Sequence, residues 1–310
     1  MTGASRRAAS AAAALLVDGL LGDRPLRPHP VALFGSAMTS LERRLWQDRR
    51  LQGVGYALAG VASATAVGAM LDHLPGGTVL AAYTAIAARG LWVAAGQVQR
   101  ALEAGDLDAA RALVPTLVGR DPASLDAAGI ARAVVESVAE NTVDAIVAPA
   151  MFAALGGAAG ALGYRGANTL DSMVGHRDLR YGRFGWASAR LDDAANLVPA
   201  RLTALLVAAV RPASAGAITR AAMRDGPQHP SPNAGVAEAA FAGALGLRLG
   251  GPTTYRSGTE DRPVLGALGG SEPAPGDIAR AVKCSQHVTA ALAVALVGLS
   301  MSRARRPGRR

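Results

Sequence analysis

Cysteine is almost missing from this chain. Cys284 stands alone among 310 residues, which excludes a disulfide-stapled secreted domain. Lysine is as scarce, with Lys283 the single one among 32 basic residues. Aromatics make up 4% and charged residues 18%, against 50% hydrophobic. Few aromatics beside abundant Ala, Leu and Gly argue against a strand-rich fold. High apolar content with dispersed charge excludes a disordered chain. There is no Gly-x-x-x-x-Gly-Lys-Ser/Thr loop, so a nucleotide would not be held by a Walker A site. There is no Gly-x-Ser-x-Gly elbow, no zinc-ligand spacing, and no basic stripe interleaved with aromatics, so nucleic-acid binding finds no support. The start lacks a secretory pattern, because Asp18 interrupts the Ala-rich run after Arg6 and Arg7 and no small-residue cleavage site follows.

What is present is long uncharged sequence. Residues 51–71, 145–164 and 288–302 carry no Asp, Glu, Lys, Arg or His, nor do residues 74–88. At about 1.5 Å per residue the first two are long enough to approach or cross a hydrocarbon core. Arg43, Arg44, Arg49 and Arg50 precede the first run, the positive-inside arrangement. The net charge of +9 is concentrated at the end, where Arg303, Arg305, Arg306, Arg309 and Arg310 form a basic tail suited to a cytoplasmic membrane surface. The fold expected is all-α: a polytopic helical membrane protein with polar cytoplasmic loops. Residues 1–302 read as one helical membrane domain and 303–310 as a tail. Buried core helices of a soluble protein are the alternative.

The chain is organised as follows. A short helix, a Pro-rich turn and an amphipathic helix fill residues 1–50. An apolar hairpin turning at Pro75-Gly76-Gly77 fills 51–99. Residues 100–120 look solvent-facing. Asp121-Pro122 has the residue types that open a helix. Residues 212–235 read as loop-rich, and the Gly/Pro-rich stretch 251–277 reads as irregular.

Four polar constellations could carry chemistry. Glu136, Glu140 and Asp144 recur every fourth residue, so they share a helix face, with Asn141 beside them. Like charges at that spacing call for a cation, either Arg132 or Mg²⁺; a solvated charged face is the plainer reading. Asn168, Asp171 and Ser172 follow the Gly-rich apolar run, in residue types that also serve as helix caps. Arg190, Asp192, Asp193 and Asn196 put carboxylate and amide oxygens on one helix face, with Arg201 beyond. That set suits a hydrated Mg²⁺ carrying phosphate, or a surface ion-pair cluster. Last comes the stiff loop His229-Pro230-Ser231-Pro232-Asn233-Ala234-Gly235, with Glu238 just after it.

Taken in order, these residues resemble a known family. The segments are Asp18-x-x-x-Gly22-Asp23-x-Pro25 with His29-Pro30-Val31, Gly119-Arg120-Asp121, Glu136-Ser137-x-Ala139-Glu140-Asn141-x-x-Asp144, Asn168-Thr169-Leu170-Asp171-Ser172-Met173, Ala189-Arg190-x-Asp192-Asp193-x-x-Asn196 and His229–Gly235. They are similar to the CobD/CbiB cobalamin biosynthesis proteins, the adenosylcobinamide-phosphate synthase family, from about residue 15 to 255. Departures occur at Ala145, Gly175-His176 and Asp121-Pro122, and none removes a carboxylate.

The resemblance implies a bacterial inner-membrane enzyme. It would join adenosylcobyric acid to (R)-1-amino-2-propanol or its O-phosphate through an amide bond. ATP and Mg²⁺ are the expected cofactors, since a carboxylate does not acylate an amine unaided. On this reading Glu136, Glu140, Asp144, Asp192, Asp193 and Asn196 are metal-site candidates. Glu140, Asp144, Asp171, Asp192 and His229 are catalytic candidates. Arg120, Asn141, Asn168, Ser172, Arg190, Arg201, Ser231 and Asn233 are binding candidates. The expected partners are the corrinoid, the amino alcohol and lipid, with a second copy or another enzyme of the pathway left open. A transporter or a non-catalytic membrane sensor are the competing readings. For the acidic motifs on either side of residues 145–164 to meet, that segment has to be a re-entrant hairpin or a protein-buried segment.

Overall fold

Backbone polar groups in an apolar setting have to be satisfied within the chain, and helices do this locally. In the computed structural model 79% of the chain is helical. The structure describes residues 2–22, 28–119, 122–123, 125–176, 178–255, 258–266 and 269–304, leaving aside the side chains of 252–261 and 303–304. Among the described residues, five helices are long and apolar enough to cross a membrane: Arg50–Asp72, Gly77–Glu103, Ala127–Val174, Trp186–Val210 and Pro275–Ser302. The chain is an all-α polytopic membrane protein. It divides into two compact units. One comprises Met1–Arg89, Asp144–Asn196 and Leu292–Arg310; the other comprises Gly90–Val143 and Leu197–Ala291.

The first unit is built on helices α1 (Gly3–Leu21), α2 (Pro30–Leu45), α3 (Arg50–Asp72), α4 (Gly77–Ala85), α8 (Ala148–Val174) and the start of α9 (Trp186–Val210). α3 bears Leu51, Leu58 and Met70 exposed on one side and glycines on the other. A Cβ at Gly60 would meet Leu170 at 2.7 Å, and one at Gly68 would meet the Ala158 carbonyl at 2.4 Å. Small residues therefore let α3 and α8 approach closely, the usual packing device where lipid removes the hydrophobic drive between helices.

α8 is not straight. Gly157 has φ 67° and ψ −149°, a conformation outside the helical region that other residues rarely adopt. The chain reverses there. The Phe152 and Tyr164 rings stack with centroids 5.1 Å apart, and the Tyr164 hydroxyl reaches the Asp144 carbonyl at 3.3 Å. The expected hairpin is thus present. Its tip exposes helix-end groups that need partners. Asp72 accepts from the Ala158 and Ala159 amides at 2.8 and 3.2 Å, and from the Thr78 hydroxyl at 2.9 Å. Arg7 donates to the Leu155 carbonyl at 2.7 Å.

The second unit holds α5 (Ala88–Glu103) from Gly90 on, α6 (Leu107–Leu113), α7 (Ala127–Thr142), α10 (Ala215–Arg224), α11 (Ala234–Leu245), strands β1 (Arg248–Tyr255) and β2 (Gly258–Gly266), and most of α12 (Pro275–Ala304). α5, α7 and α12 meet at a polar knot. Trp92 donates to the Ser285 hydroxyl at 3.0 Å, and the Thr142 and Ser285 hydroxyls lie 2.8 Å apart.

Three local expectations are corrected here. The stretch 251–277 is not irregular throughout, because it contributes to an antiparallel β1–β2 hairpin. Its glycines make a bulge between Gly250 and Pro252 and do not break the ladder. α7 opens at Asp126, whose carboxylate accepts from the Gly129 amide at 2.8 Å, while Pro122 lies in a bend and Asp121 is outside the described residues. Residues 212–235 include the ten-residue helix α10 as well as loop.

α10 is tied to the end of β2 through Asp225, which is buried. It accepts from the Gly266 amide at 2.9 Å and from Arg224 at 2.6 and 2.9 Å. Burial opposes ionisation, yet Arg224 and the Gly266 amide hold the carboxyl below the usual carboxylate range.

Two outcomes are expected. Asp72→Ala should destabilise the detergent-solubilised protein by about 1–2 kcal/mol, the scale of a lost helix cap, read as a lowered unfolding midpoint. An unchanged midpoint would show that Asp72 does not hold the hairpin tip. Asp225→Asn should be less stable than the parent protein at neutral pH. Because the folded-state pKa is depressed, that gap should close as pH falls below the ordinary carboxylate range, and a constant gap would contradict the pairing.

Candidate functional site

The hairpin in α8 brings residues distant in sequence together within the first unit. A π-helical turn, Val143–Val147, carries Asp144. Such turns recur at functional positions because they swing a side chain off the regular helical face. The returning arm presents Asn168 beside it. The Asn168 amide nitrogen lies 3.3 Å from Asp144 Oδ2 and 3.2 Å from Asp192 Oδ1. One amide therefore bridges two carboxylates from different helices. Arg165, which can only donate, gives to Asn168 Oδ1 at 3.0 Å, and this fixes which way the amide faces. Arg165 is itself anchored on the Ala85 carbonyl.

Asn196, one turn after Asp192 on α9, donates to Asp192 Oδ2 at 3.1 Å and accepts from the Tyr164 hydroxyl at 2.9 Å. Asp192, Asn196, Asn168 and Tyr164 are buried, and Asp144 is half-buried. The arrangement is a carboxylate pair bridged and oriented by amides, with a phenol on Asn196.

The other candidates of this unit are arranged differently. Asp193 lies one residue round α9 and pairs with the exposed Arg190 at 3.5 Å. Asp171 folds over the end of its own helix, where a Cβ on Gly175 would come within 1.8 Å of its carboxylate. The exposed Ser172 hydroxyl donates back to the Asn168 carbonyl at 3.0 Å. The described residues of the N-terminal signature make structural contacts. Asp18, fully buried, accepts from the Arg89 amide at 3.0 Å, and His29 Nδ1 accepts from the Val31 amide at 3.3 Å to start α2.

A second cluster lies within the second unit. His229 Nδ1 accepts from the Ser231 amide at 3.0 Å. The Ser231 hydroxyl accepts from the amides of Asn233 and Ala234 at 3.3 and 3.2 Å, capping α11. Arg201 donates to Asn233 Oδ1 at 2.8 Å. His229 Nε2 is 4.0 Å from Glu238 and 3.4 Å from Arg262. Glu136, on α7, is buried and accepts from the Gly250 amide at 2.6 Å, so its carboxylate anchors β1. Asn141 donates to Ser137 at 2.9 and 3.2 Å, and Glu140 is exposed. Arg120 lies outside the described residues, as do Asp121, Asp23 and Pro25.

Sequence reading overlooked Tyr164, Arg165 and Arg262 as members of these clusters. The first two carried a signal, standing four and three residues before Asn168 and hence on its face of the helix. Arg262 carried none, since it reaches His229 only through the β-hairpin.

Among the described residues no group of three or more His, Cys, Asp and Glu is placed to hold a metal ion. A protein-only cage is therefore not offered. Two carboxylates such as Asp144 and Asp192 do fit Mg²⁺, which is commonly bound by one or two carboxylates with phosphate oxygens and water completing its shell.

The family model described as CobD/Cbib protein matches residues 11–285. Among curated proteins, the Cobalamin biosynthesis protein CobD of Mycobacterium tuberculosis is 48% identical over 293 residues, covering 92% of this chain and 93% of that one. The protein of the same name from Geobacter metallireducens is 46% identical, covering 82% and 84%, and that from Rhodobacter capsulatus is 42% identical, covering 87% and 88%. No solved structure matches the chain.

The bridging amide yields a prediction. Asn168→Ala should destabilise the protein by about 1–3 kcal/mol, since it leaves two carboxylates without their shared donor. Asn168→Asp should cost more at pH 8 than at pH 5, because a third carboxylate is tolerated only when a proton is shared. Equal unfolding midpoints at the two pH values, relative to the parent, would contradict the bridge.

Proposed function

The chain belongs to the CobD/CbiB family of cobalamin biosynthesis proteins, and from that premise we propose that it is an adenosylcobinamide-phosphate synthase. The reaction is amide formation between the free carboxylate of adenosylcobyric acid and the amine of (R)-1-amino-2-propanol or its O-phosphate. The observation that carries the reading is the Asp144–Asn168–Asp192 constellation, assembled from three of the segments on which the family resemblance rests.

The chemistry needs an activated carboxylate. With ATP, the substrate carboxylate attacks the γ-phosphorus, forming an acyl phosphate and releasing ADP. The amine then attacks the acyl carbon, phosphate leaves, and one proton departs from nitrogen. Asp144 and Asp192 would hold Mg²⁺, which supplies charge neutralisation at phosphate oxygens. Asn168 and Asn196 keep both carboxylates oriented without neutralising them. Tyr164 fixes Asn196, and Arg165 fixes Asn168. The amine must lose a proton to be nucleophilic; a carboxylate or His229 is the candidate acceptor. Arg201 and Asn233 support the His229 loop. The arginines near the start of α3 and in the tail favour a bacterial inner-membrane location with the C-terminus in the cytoplasm.

The test uses purified, detergent-solubilised protein with adenosylcobyric acid, aminopropanol phosphate or aminopropanol, and Mg²⁺, with and without ATP. Mass spectrometry should find the amide only with ATP. Asp192→Asn and Asp144→Asn should each lower turnover at least about 100-fold, the scale of losing one preorganised electrostatic contact. Wild-type turnover in both variants sinks the site assignment. No product from folded protein with either amine moves the reading to transport or binding.

A further inference from the structure

The first unit carries a basic and aromatic cluster that the proposed reaction does not use. The last turn of α2 and the turn after it hold Arg43, Arg44, Trp46 and Arg49, and α3 begins at Arg50. The connection between α8 and α9 brings Arg180, Tyr181 and Arg183 against them. All six arginines are exposed. Glu42, buried beneath, accepts from Arg180 at 3.1 Å and from the Tyr181 hydroxyl at 2.8 Å. The Trp46 indole donates to the Arg180 carbonyl at 3.3 Å, and the Arg180 guanidinium lies 5.1 Å from its ring centroid. Arg50 lies 5.2 Å from the centroid of Trp186. Among the carboxylates here, Asp178 caps the Arg180 and Tyr181 amides, and exposed Asp48 meets Arg183 at a loose 3.9 Å. Positive charge is left in excess and faces outward.

The position of the cluster decides its partner. Arg50 is the first residue of one candidate span and Trp186 the first of another, and the two are stacked together. Leu51, next to Arg50, is 77% exposed, while Trp46 and Trp186 are 37% and 39% exposed. Apolar surface meant for lipid therefore begins where the guanidinium groups end. Indoles favour the boundary between hydrocarbon and headgroups, and guanidinium pairs bidentately with phosphate. We propose that this cluster is a headgroup site for an anionic phospholipid. The diester phosphate would sit on Arg43, Arg44, Arg50 and Arg183, and the acyl chains would run along the exposed face of α3. This goes beyond the proposed synthase activity and does not depend on it.

The experiment uses the full-length protein in a neutral detergent. Phosphatidylglycerol or phosphatidylcholine with brominated acyl chains is titrated in, and tryptophan fluorescence is read. Two of the three tryptophans, Trp46 and Trp186, belong to the cluster. Brominated phosphatidylglycerol should quench at lower mole fraction than brominated phosphatidylcholine in the unaltered protein. The double variants Arg43→Gln/Arg44→Gln and Arg50→Gln/Arg183→Gln should weaken that preference about fivefold per arginine removed, the equivalent of about 1 kcal/mol each. Equal quenching by the two lipids overturns the proposal, and because it is read on unaltered protein it does not depend on any variant folding. Loss of the preference on adding millimolar inorganic phosphate or ATP, at constant ionic strength, also overturns it in favour of a soluble phosphate ligand.

Discussion

A chain that reverses direction within an apolar layer must still give every helix-end amide and carbonyl a partner, and the candidate site rests on how that is met at Gly157. The turn bares the amides of Ala158 and Ala159 on one arm and the Leu155 carbonyl on the other. Asp72 takes the amides and Arg7 takes the carbonyl. Both come from other helices, so the reversal is held from outside. Only because the reversal is held does the returning arm set Asn168 against Asp144, and only then can α9 complete the pair with Asp192. The site is thus a consequence of polar bookkeeping at the far end of the same hairpin.

Much of this was legible in the sequence. An uncharged run broken by Gly156, Gly157, Gly160 and Gly163, with acidic motifs on both sides that had to meet, called for a re-entrant hairpin or a protein-buried segment. The i,i+4 relation of Asp192 and Asn196 gave their shared face. What could not be read was which glycine turns the chain, because four were available and the choice depends on where Asp72 ends up. Glu136 shows the same limit. Its spacing to Glu140 and Asp144 suggested a common face, but its carboxylate is bound to the Gly250 amide, 114 residues further on. A local period says which way a residue points and nothing about a partner brought in by tertiary structure. The β-hairpin was hidden for a related reason, since its Gly and Pro residues shape a bulge in a ladder held by backbone groups.

The two polar clusters differ in kind. The first is a carboxylate pair restrained by amides and a phenol, inside a helical frame closely packed through glycine. The second is a proline-stiffened loop whose histidine sits between Glu238 and Arg262. In the first, amide and phenol contacts fix how the carboxylates are oriented. In the second, opposite charges flank a ring able to hold or release a proton.

The hairpin also bears on how sidedness should be counted along this chain. Residues 145–164 form an uncharged run long enough to approach a full crossing, and a tally of such runs scores one passage from face to face. Yet Asp144 and Asn168 touch, so the segment between them goes out and returns, adding an even number where the tally adds an odd one. Parity is what assigns inside and outside to everything downstream. Scored as a single passage, this segment would reverse the inferred orientation of every residue from α9 onward.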